Sequence, residues 1–315
     1  MGNKLRVGVV GVGYLGRIHA RIYARMPEVE LVGVVDTDAD VAEAVATEVG
    51  CPAHTEASAL LGRVDAVSIV VPTVYHLAVA RPFLEAGVHM LMEKPLAPDY
   101  AEALTLVELA ERSGAVFQVG HLERFNAGVM ALAEQVREPR FIEVHRLGSF
   151  VERATDVDVV TDLMIHDIDI ILALVKAPLR DIAATGLPVL TEHVDIANAR
   201  LEFETGAVAN VTASRVSNKK QRRIRVFGDH SYYGLNYIDQ QIDVVRAKPN
   251  PEGGRAEIVT ETLKIEPRQP LDAELAAFVQ CIRTGTPPLV GGRIGLQALD
   301  VALKVKEKIA SCLKP

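Results

Sequence analysis

The sequence predicts an α/β protein with two domains: a doubly wound parallel sheet, then an α+β domain with a large, open and mostly antiparallel sheet. Its length of 315 residues exceeds what one hydrophobic core usually organises. Up to Gly120, short apolar runs alternate with amphipathic stretches, whereas the rest of the chain has few helices and many strands. We therefore place the first domain at residues 1–120 and the second at residues 121–315.

The apolar runs of the first domain are typical of strands that are buried on both faces. Between them lie helical stretches, two of which end at a glycine suited to a C-cap. This β-α-β alternation predicts a parallel sheet with right-handed crossovers. The predicted strands are Leu5–Val10, Glu30–Asp36, Val64–Val71, Val88–Glu93 and Ala115–Gly120, and the predicted helices are Tyr14–Met26, Asp38–Val49, Tyr75–Gly87 and Asp99–Gly114.

The second domain shows an antiparallel strand pattern. Residues 193–217 are typical of two strands joined by a Glu-Thr-Gly turn. The open sheet that these strands predict exposes one face, so we expect subunits to pack sheet against sheet in a homodimer or homotetramer. The predicted helices of this domain span residues 126–136, 160–175, 271–283 and 292–313.

Composition and charge exclude several classes of protein. The net charge of −7 disfavours binding to nucleic acid. The basic run Asn218–Arg225 is compatible with phosphate binding and also with a solvated segment. No apolar stretch reaches the ~18 residues of a membrane span, and the first residues lack the pattern of a signal peptide. The three cysteines are dispersed, which argues against disulfides and zinc. We expect a cytoplasmic protein that binds neither membrane nor metal.

A glycine-rich turn lies between the first predicted strand and the first helix. Gly11, Gly13 and Gly16 have the G-x-G-x-x-G spacing of dinucleotide-binding sites. The first glycine permits the tight turn, the second lets a pyrophosphate approach the backbone, and the third allows close helix packing. A glycine turn without a ligand can share this spacing. Its position favours a Rossmann cofactor site, in which Tyr14 and Leu15 are also predicted to contact the cofactor.

An acidic residue ends the second predicted strand. Asp36 lies twenty residues after Gly16, where it can accept hydrogen bonds from the hydroxyl groups of a ribose. Thr37 and Asp38 follow it, rather than arginines, so the 2′-phosphate of NADP would be repelled. The predicted cofactor is therefore NAD in preference to NADP.

A lysine follows a buried strand in the stretch Met92–Pro95. Ligands of doubly wound sheets bind at the carboxyl ends of the strands, so Lys94 is predicted beside the nicotinamide. There its ammonium group can bind a substrate hydroxyl and stabilise developing alkoxide charge. The alternative is a lysine that merely extends into water. Glu93, and Pro72 and His76 after the preceding strand, are the other predicted cofactor contacts.

A second titratable group lies on the predicted helix of residues 160–175. Asp162 and His166 are four residues apart and Asp169 follows, which places all three on one helix face. Histidine transfers protons near neutral pH, and a neighbouring carboxylate can orient its ring. A helix-surface ion pair and a metal site are the alternatives, but further metal ligands at recognisable spacing are missing.

In this order, these motifs resemble the Gfo/Idh/MocA family, named after glucose-fructose oxidoreductase and inositol dehydrogenase. The resemblance includes the glycine-rich start, Glu-Lys-Pro at residues 93–95 and D-x-x-x-H-x-x-D from Asp162, and it covers nearly the whole chain. It implies NAD(P)-dependent chemistry at a sugar or cyclitol carbon, catalysis by Lys94, Asp162 and His166, and a cis bond before the proline. Members often have glycine where this chain has Met164, so substrate clearance there is expected to differ.

The stretch Gly120–Val129 makes the resemblance more specific. Arg124 in this stretch can form paired hydrogen bonds to a phosphate or carboxylate, with a packing role as the alternative. Together with the helix of His166, the stretch resembles the nucleotide-sugar branch, the UDP-N-acetylglucosamine 3-dehydrogenases. This resemblance implies that Arg124, Asn126, Asp162 and His166 bind the substrate.

The function that follows is an NAD-dependent sugar dehydrogenase, which transfers a hydride between a nucleotide sugar, at C3, and nicotinamide. One alternative is a glycoside hydrolase that oxidises and re-reduces its substrate with bound NAD. The other is a sensor of cofactor or sugar without catalysis. The presence of Lys94, Asp162 and His166 argues against the sensor.

Overall fold

The structure, a computed structural model, consists of two compact units. It describes residues 4–151, 157–248, 250 and 255–313. The first unit comprises Met1–Leu122 and Leu271–Leu299, and the second comprises Glu123–Pro270 and Asp300–Pro315.

The two units differ from the predicted domain ranges in one segment. The sequence prediction assigned residues 271–299 to the second domain, whereas their contacts group them with the first unit. The physical reason is hydrophobic burial, because Leu275, Phe278 and Val279 are part of the core of the first unit. Their helical pattern alone could not show which sheet they cover.

The first unit contains a six-stranded sheet in which every neighbouring pair is parallel. Its strands are β1 (Leu5–Val10), β2 (Val29–Val35), β3 (Ala53–His54), β4 (Ala66–Ile69), β5 (His89–Glu93) and β6 (Phe117–Gly120). Their order is β3-β2-β1-β4-β5-β6, so the direction of winding reverses between β1 and β4. This confirms the predicted doubly wound sheet, and ligands of such sheets bind at this reversal.

Helices connect these strands, and their ends follow the usual capping rules. They are α1 (Tyr14–Arg25), α2 (Ala39–Val49), α3 (His76–Glu85) and α4 (Tyr100–Ser113), with short 3₁₀ turns at Ala57–Leu60, Thr73–Tyr75 and Leu122–Phe125. Asp38 and Asp99 cap α2 and α4 by accepting hydrogen bonds from backbone amides, and both helices end at a left-handed glycine. Among the described residues, no side chain caps α1, which begins after Gly13.

The second unit contains an eight-stranded sheet. Its strands are β7 (Phe141–Leu147), β8 (Leu179–Leu187), β9 (Ile196–Phe203), β10 (Val208–Ser214), β11 (Gln221–Gly228), β12 (Ser231–Asn236), β13 (Gln241–Lys248) and β14 (Glu257–Leu263). The order is β14-β13-β12-β11-β7-β10-β9-β8, and β7 with β10 is the parallel pair. The predicted large, mostly antiparallel sheet is thereby confirmed, including the turn between β9 and β10 at Gly206, which has a φ of 82°.

The remaining helices are α5 (Ala127–Gln135), α6 (Ile165–Val175), α7 (Pro270–Thr284) and α8 (Gly292–Leu313). A π-helical turn, Val160–Met164, leads directly into α6, so the single helix predicted for residues 160–175 has two parts. The π turn, α5 and α6 pack against the strands of the second unit. We call the side of the sheet that they contact the helix-covered face, and the other side the open face.

Candidate active site

The turn between β1 and α1 has the backbone geometry that its glycines require. Gly11 has a φ of +83°, and a Cβ atom there would lie 2.6 Å from the carbonyl oxygen of Val70. Gly16 lies so close to the Gly11 carbonyl that a side chain would force helix and strand apart. At Gly13, by contrast, a Cβ atom would meet no heavy atom within 4 Å. The turn is therefore tightly packed on one side and open to a ligand at Gly13.

A cavity of about 970 Å³ lies at the carboxyl ends of the strands of the first unit, which is within the range of ligand sites. Its walls are mostly apolar and hold most of the predicted cofactor contacts, namely Gly11, Gly13, Leu15, Asp36, Pro72, Glu93 and Lys94. Tyr14, Gly16 and His76 are not among its described walls. Tyr14 is largely exposed, whereas Gly16 and His76 are buried.

The carboxylate of Asp36 is held by two backbone amides. Val12 N–H donates to one oxygen at 2.9 Å and Asp38 N–H donates to the other at 3.1 Å. Each oxygen keeps a lone pair for a further donor, such as a ribose hydroxyl. Glu56 also lines the cavity. Glu56 is not predictable from the sequence because it follows β3, and the two residues of β3 give no strand pattern.

Lys94 follows β5 directly and lines the cavity, and the peptide bond to Pro95 is cis, which confirms that prediction. Beside it, the Glu93 carboxylate is nearly buried, and Nε2 of His19 lies 3.2 Å from its Oε1. Gly120 pairs with Glu93 across β5 and β6, and a Cβ atom at Gly120 would lie 2.9 Å from the Glu93 carboxyl carbon. A histidine on α1 and a glycine on β6 therefore hold the carboxylate next to the lysine.

His76, another predicted cofactor contact, is held by two backbone carbonyl groups. Its ring is fully buried, with Nδ1 at 3.1 Å from the Leu96 carbonyl oxygen and Nε2 at 3.0 Å from the Val71 carbonyl oxygen. Burial lowers the pKa of His76 below its ordinary value. Through its two carbonyl contacts, His76 joins the loop after β4 to the segment that follows Lys94, and it holds the backbone at Val71, a residue that lines the cavity.

In the second unit, the π turn holds Asp162 and α6 holds His166. Asp162 is half-buried and His166 is 8% exposed. Just before the π turn, Asp158 Oδ1 accepts hydrogen bonds from the amides of Val160 and Thr161 at 3.0 and 2.9 Å. Burial alone would raise the pKa of Asp158. Lys306, whose Nζ lies 2.8 Å from Asp158 Oδ2, helps to hold this pKa below its ordinary value.

A buried ion-pair cluster, the Arg146 cluster, lies between α6 and the helix-covered face. The Arg146 guanidinium donates to both oxygens of Asp167 at 2.7 and 2.8 Å and to Glu123 at 2.9 Å, and it stacks 5.3 Å from the ring centre of Tyr237. Burial disfavours the charge of Arg146, but the two carboxylates outweigh it and hold its pKa well above the ordinary value. Asp167 is the neighbour of His166, so the cluster fixes the helix at the candidate site.

Arg124 and Asn126, both predicted to bind substrate, have partners within the second unit. Arg124 Nη1 lies 3.2 Å from Asp169, and its side chain is 13% exposed. Asn126 caps α5 by accepting from Gly128 N–H at 2.9 Å, and it donates to the Tyr237 carbonyl oxygen at 3.0 Å. The contact with Asp169 uses one nitrogen of the Arg124 guanidinium, so binding of a ligand by Arg124 stays a prediction.

Two features are absent from residues 4–151, 157–248, 250 and 255–313. No helix in these ranges is both long enough and apolar enough to cross a lipid bilayer. No set of three or more His, Cys, Asp or Glu side chains in them is arranged to hold a metal ion.

The chemistry of the two units is complementary. The open space at Gly13, the uncapped start of α1 and the anchored carboxylate of Asp36 suit the pyrophosphate and a ribose of a dinucleotide. A lysine at the edge of the same cavity suits stabilisation of an oxyanion. His166, a nearly buried histidine on α6 in the second unit, is of a residue type that suits proton transfer.

Family models match both units. One, described as an oxidoreductase family with an NAD-binding Rossmann fold, matches residues 5–121. The other, described as a GFO/IDH/MocA C-terminal domain, matches residues 129–233.

Two kinds of dehydrogenase are among the similar proteins. The chain is 37% identical to the UDP-N-acetylglucosamine 3-dehydrogenase of Acidithiobacillus ferrooxidans over 98% of this chain and 99% of that one.

Inositol dehydrogenases match either about half of the chain at 33–36% identity or nearly all of it at 24–26% identity. The inositol 2-dehydrogenase of Corynebacterium glutamicum is 36% identical over 54% of each chain. Among solved structures, that of the UDP-N-acetylglucosamine 3-dehydrogenase GnnA from Acidithiobacillus ferrooxidans superposes with a TM-score of 0.93 at 36% identity, covering 99% of this chain and 100% of that one.

Proposed function

The chain belongs to the Gfo/Idh/MocA family of NAD-binding oxidoreductases, and we propose that it transfers a hydride between C3 of UDP-N-acetylglucosamine and NAD. The observation that supports this substrate is the full-length similarity to a UDP-N-acetylglucosamine 3-dehydrogenase. The inositol 2-dehydrogenase of similar identity matches only about half of the chain. Because substrate choice depends on loops and side chains across the whole protein, full-length similarity is the stronger argument.

The first unit supplies the residues proposed to hold the cofactor. The backbone of the turn Gly11–Gly16 and the N-terminus of α1 bind the pyrophosphate, and Asp36 accepts hydrogen bonds from the hydroxyl groups of a ribose. The cavity walls around Pro72 and Leu15 are apolar and would limit the water beside a bound cofactor. When bound, the nicotinamide supplies the hydride acceptor.

Proton transfer is proposed to involve residues from each unit. A hydroxyl group that is oxidised must lose its proton as hydride leaves the same carbon. His166 accepts this proton, and Asp162 orients the imidazole and stabilises its charged form. The ammonium group of Lys94 stabilises the developing alkoxide.

We expect NAD to be preferred over NADP because three carboxylates, Asp36, Glu56 and Glu93, line the cavity and Lys94 is the one cation among its described walls. Asp36→Ala should lower the preference for NAD about tenfold, since the ribose loses a charged acceptor and a 2′-phosphate loses a repelling charge. Both affinities can be measured by titration of protein fluorescence or by calorimetry. Asp40→Ala, which removes a carboxylate outside the cavity, is the control. Equal affinity of the unmutated protein for NAD and NADP would contradict the proposal.

The open face is proposed to hold subunits together in a cytoplasmic homodimer or homotetramer. Half-buried aromatic side chains lie there in a row, with Phe141 and Phe227 at 5.7 Å between ring centres and Phe227 and Tyr232 at 5.0 Å. An apolar row of this kind favours association. Sedimentation velocity of the unmutated protein should show a mass that is a multiple of the mass of one chain. The Phe227→Asp variant should sediment with the mass of the monomer. A monomeric unmutated protein would contradict the proposal.

The proposed function is tested by incubating the purified protein with NAD and a panel of UDP-sugars and free cyclitols. We expect reduced cofactor to accumulate with UDP-N-acetylglucosamine, and a sugar product two hydrogen atoms lighter. A glycoside hydrolase would cleave its substrate with no net reduction of NAD. A sensor would bind ligands without producing either product. If the cyclitols reduce NAD and the UDP-sugars do not, the substrate is a cyclitol and the proposed nucleotide-sugar substrate is wrong.

A further inference from the structure

Arg222 lies on β11 within the basic run Asn218–Arg225. The sequence of this run is compatible with phosphate binding and also with a solvated segment. In the register of β11 and β7, Arg222 is opposite Arg146. Residues directly opposite each other on neighbouring strands point to the same side of the sheet, so Arg222 lies on the helix-covered face, whereas Arg223 lies on the open face.

The three arginines described near α6 differ in how fully their charge is matched. Arg124 is engaged by Asp169, and Arg146 binds two carboxylates while its side chain is only 4% exposed. Arg222 has a longer contact, 3.6 Å to the same Glu123 oxygen that Arg146 already binds at 2.9 Å. Its side chain is 38% exposed. Arg222 is thus the accessible guanidinium of this group.

The electrostatic surroundings of Arg222 favour an additional anion. Burial lowers the pKa of the Arg222 guanidinium, and the positive charge of Arg146 lowers it further. Nearby carboxylates, including Asp162, offset these effects only in part. A bound anion would supply the missing negative charge. Arg222 contacts Glu123, and Arg146 links Glu123 to Asp167, the chain neighbour of His166, so such an anion would lie near the proposed reaction site of the second unit.

We propose that Arg222 binds the diphosphate of the nucleotide-sugar substrate and thereby distinguishes nucleotide sugars from free sugars. This inference rests on the proposed function, which supplies a substrate with a diphosphate on the sugar. Arginine suits the task because its planar guanidinium forms paired, charge-assisted hydrogen bonds to phosphate oxygens. Arg222 is a binding residue in this proposal, and proton transfer remains with His166.

The experiment measures binding of UDP by calorimetry to the NAD-loaded protein and to its variants. Arg222→Gln should weaken UDP binding about tenfold or more, the effect of losing a hydrogen bond to a charged group, and Arg222→Lys should retain part of the affinity. Arg223→Gln, which removes the neighbouring charge from the open face, should bind UDP as the unmutated protein does. Melting temperature and sedimentation of each variant show whether its fold and assembly are intact.

The outcomes separate the inference from the proposed function. Equal UDP affinity in folded Arg222→Gln, or equal losses in Arg222→Gln and Arg223→Gln, overturns the role of Arg222 even if UDP-N-acetylglucosamine is oxidised. Selective loss of UDP binding in a protein that oxidises no nucleotide sugar supports the anion site and rejects the reaction. If the unmutated protein does not bind UDP, the inference is wrong.

Discussion

Lys94→Ala and His166→Ala should each lower kcat about 100-fold or more with UDP-N-acetylglucosamine and NAD. A group that transfers a proton or stabilises an oxyanion in the transition state typically contributes this much. NAD affinity should change little, because the proposed pyrophosphate and ribose contacts lie at the turn Gly11–Gly16 and at Asp36. The measurement is single-turnover hydride transfer, combined with NAD titration and the melting temperature of each variant.

Two control substitutions measure how the loss of a lysine or histidine with no proposed role in the reaction changes turnover. Lys304 lies on α8 in an exposed ion pair with Asp300, and His193 lies exposed in the loop before β9. Lys304→Ala and His193→Ala should leave turnover near that of the unmutated protein. If Lys94 or His166 is only structural, its replacement should lower the melting temperature and spare the turnover of the folded fraction. Full activity in His166→Ala would remove this histidine from the reaction.

Arg146→Met should lower the free energy of unfolding by about 3–5 kcal/mol, because it leaves the carboxylates of Asp167 and Glu123 buried without their cation. Both are at most 7% exposed, so water cannot replace the lost hydrogen bonds. Urea unfolding followed by circular dichroism measures the loss. Since Asp167 adjoins His166, we also expect lower turnover in whatever protein folds.

The matched control for Arg146 is Lys304→Met in the same unit. This lysine pairs with Asp300 one helical turn away, and its side chain is 53% exposed, so its loss should cost less than about 1 kcal/mol. A loss in Arg146→Met no larger than that of the control would contradict the importance of the Arg146 cluster. Partial recovery in the double variant Arg146→Met, Asp167→Asn would show that the unpaired carboxylate is the source of the instability.

The parts of the site that the sequence predicted share one property: their chemistry depends on neighbours along the chain. The spacing of Gly11 and Gly16 reflects a turn in which a side chain would clash with nearby backbone. Asp36 and Lys94 end predicted strands, and the parallel topology brings strand ends to one edge of the sheet. The short strand β3 escaped prediction because two residues give no periodicity.

Contacts between distant segments could not be predicted in the same way. Nothing in a single sequence links His19 to Glu93, or Arg146 to Asp167, because no local spacing relates an α-helix residue to a strand many residues away. Arg124 illustrates the reverse case, in which a residue type suited to anions is engaged by Asp169. Only the folded chain shows that partner.

Hydride transfer from C3 of the sugar is the central claim, and isotope transfer tests it most directly. The protein is incubated with NAD and UDP-N-acetylglucosamine that contains deuterium at C3, and the masses of the cofactor and the sugar are measured. We predict that the reduced cofactor gains the deuterium and that the oxidised sugar loses it. Deuterium that stays in the sugar or passes to water, with no labelled reduced cofactor, would contradict the proposed reaction.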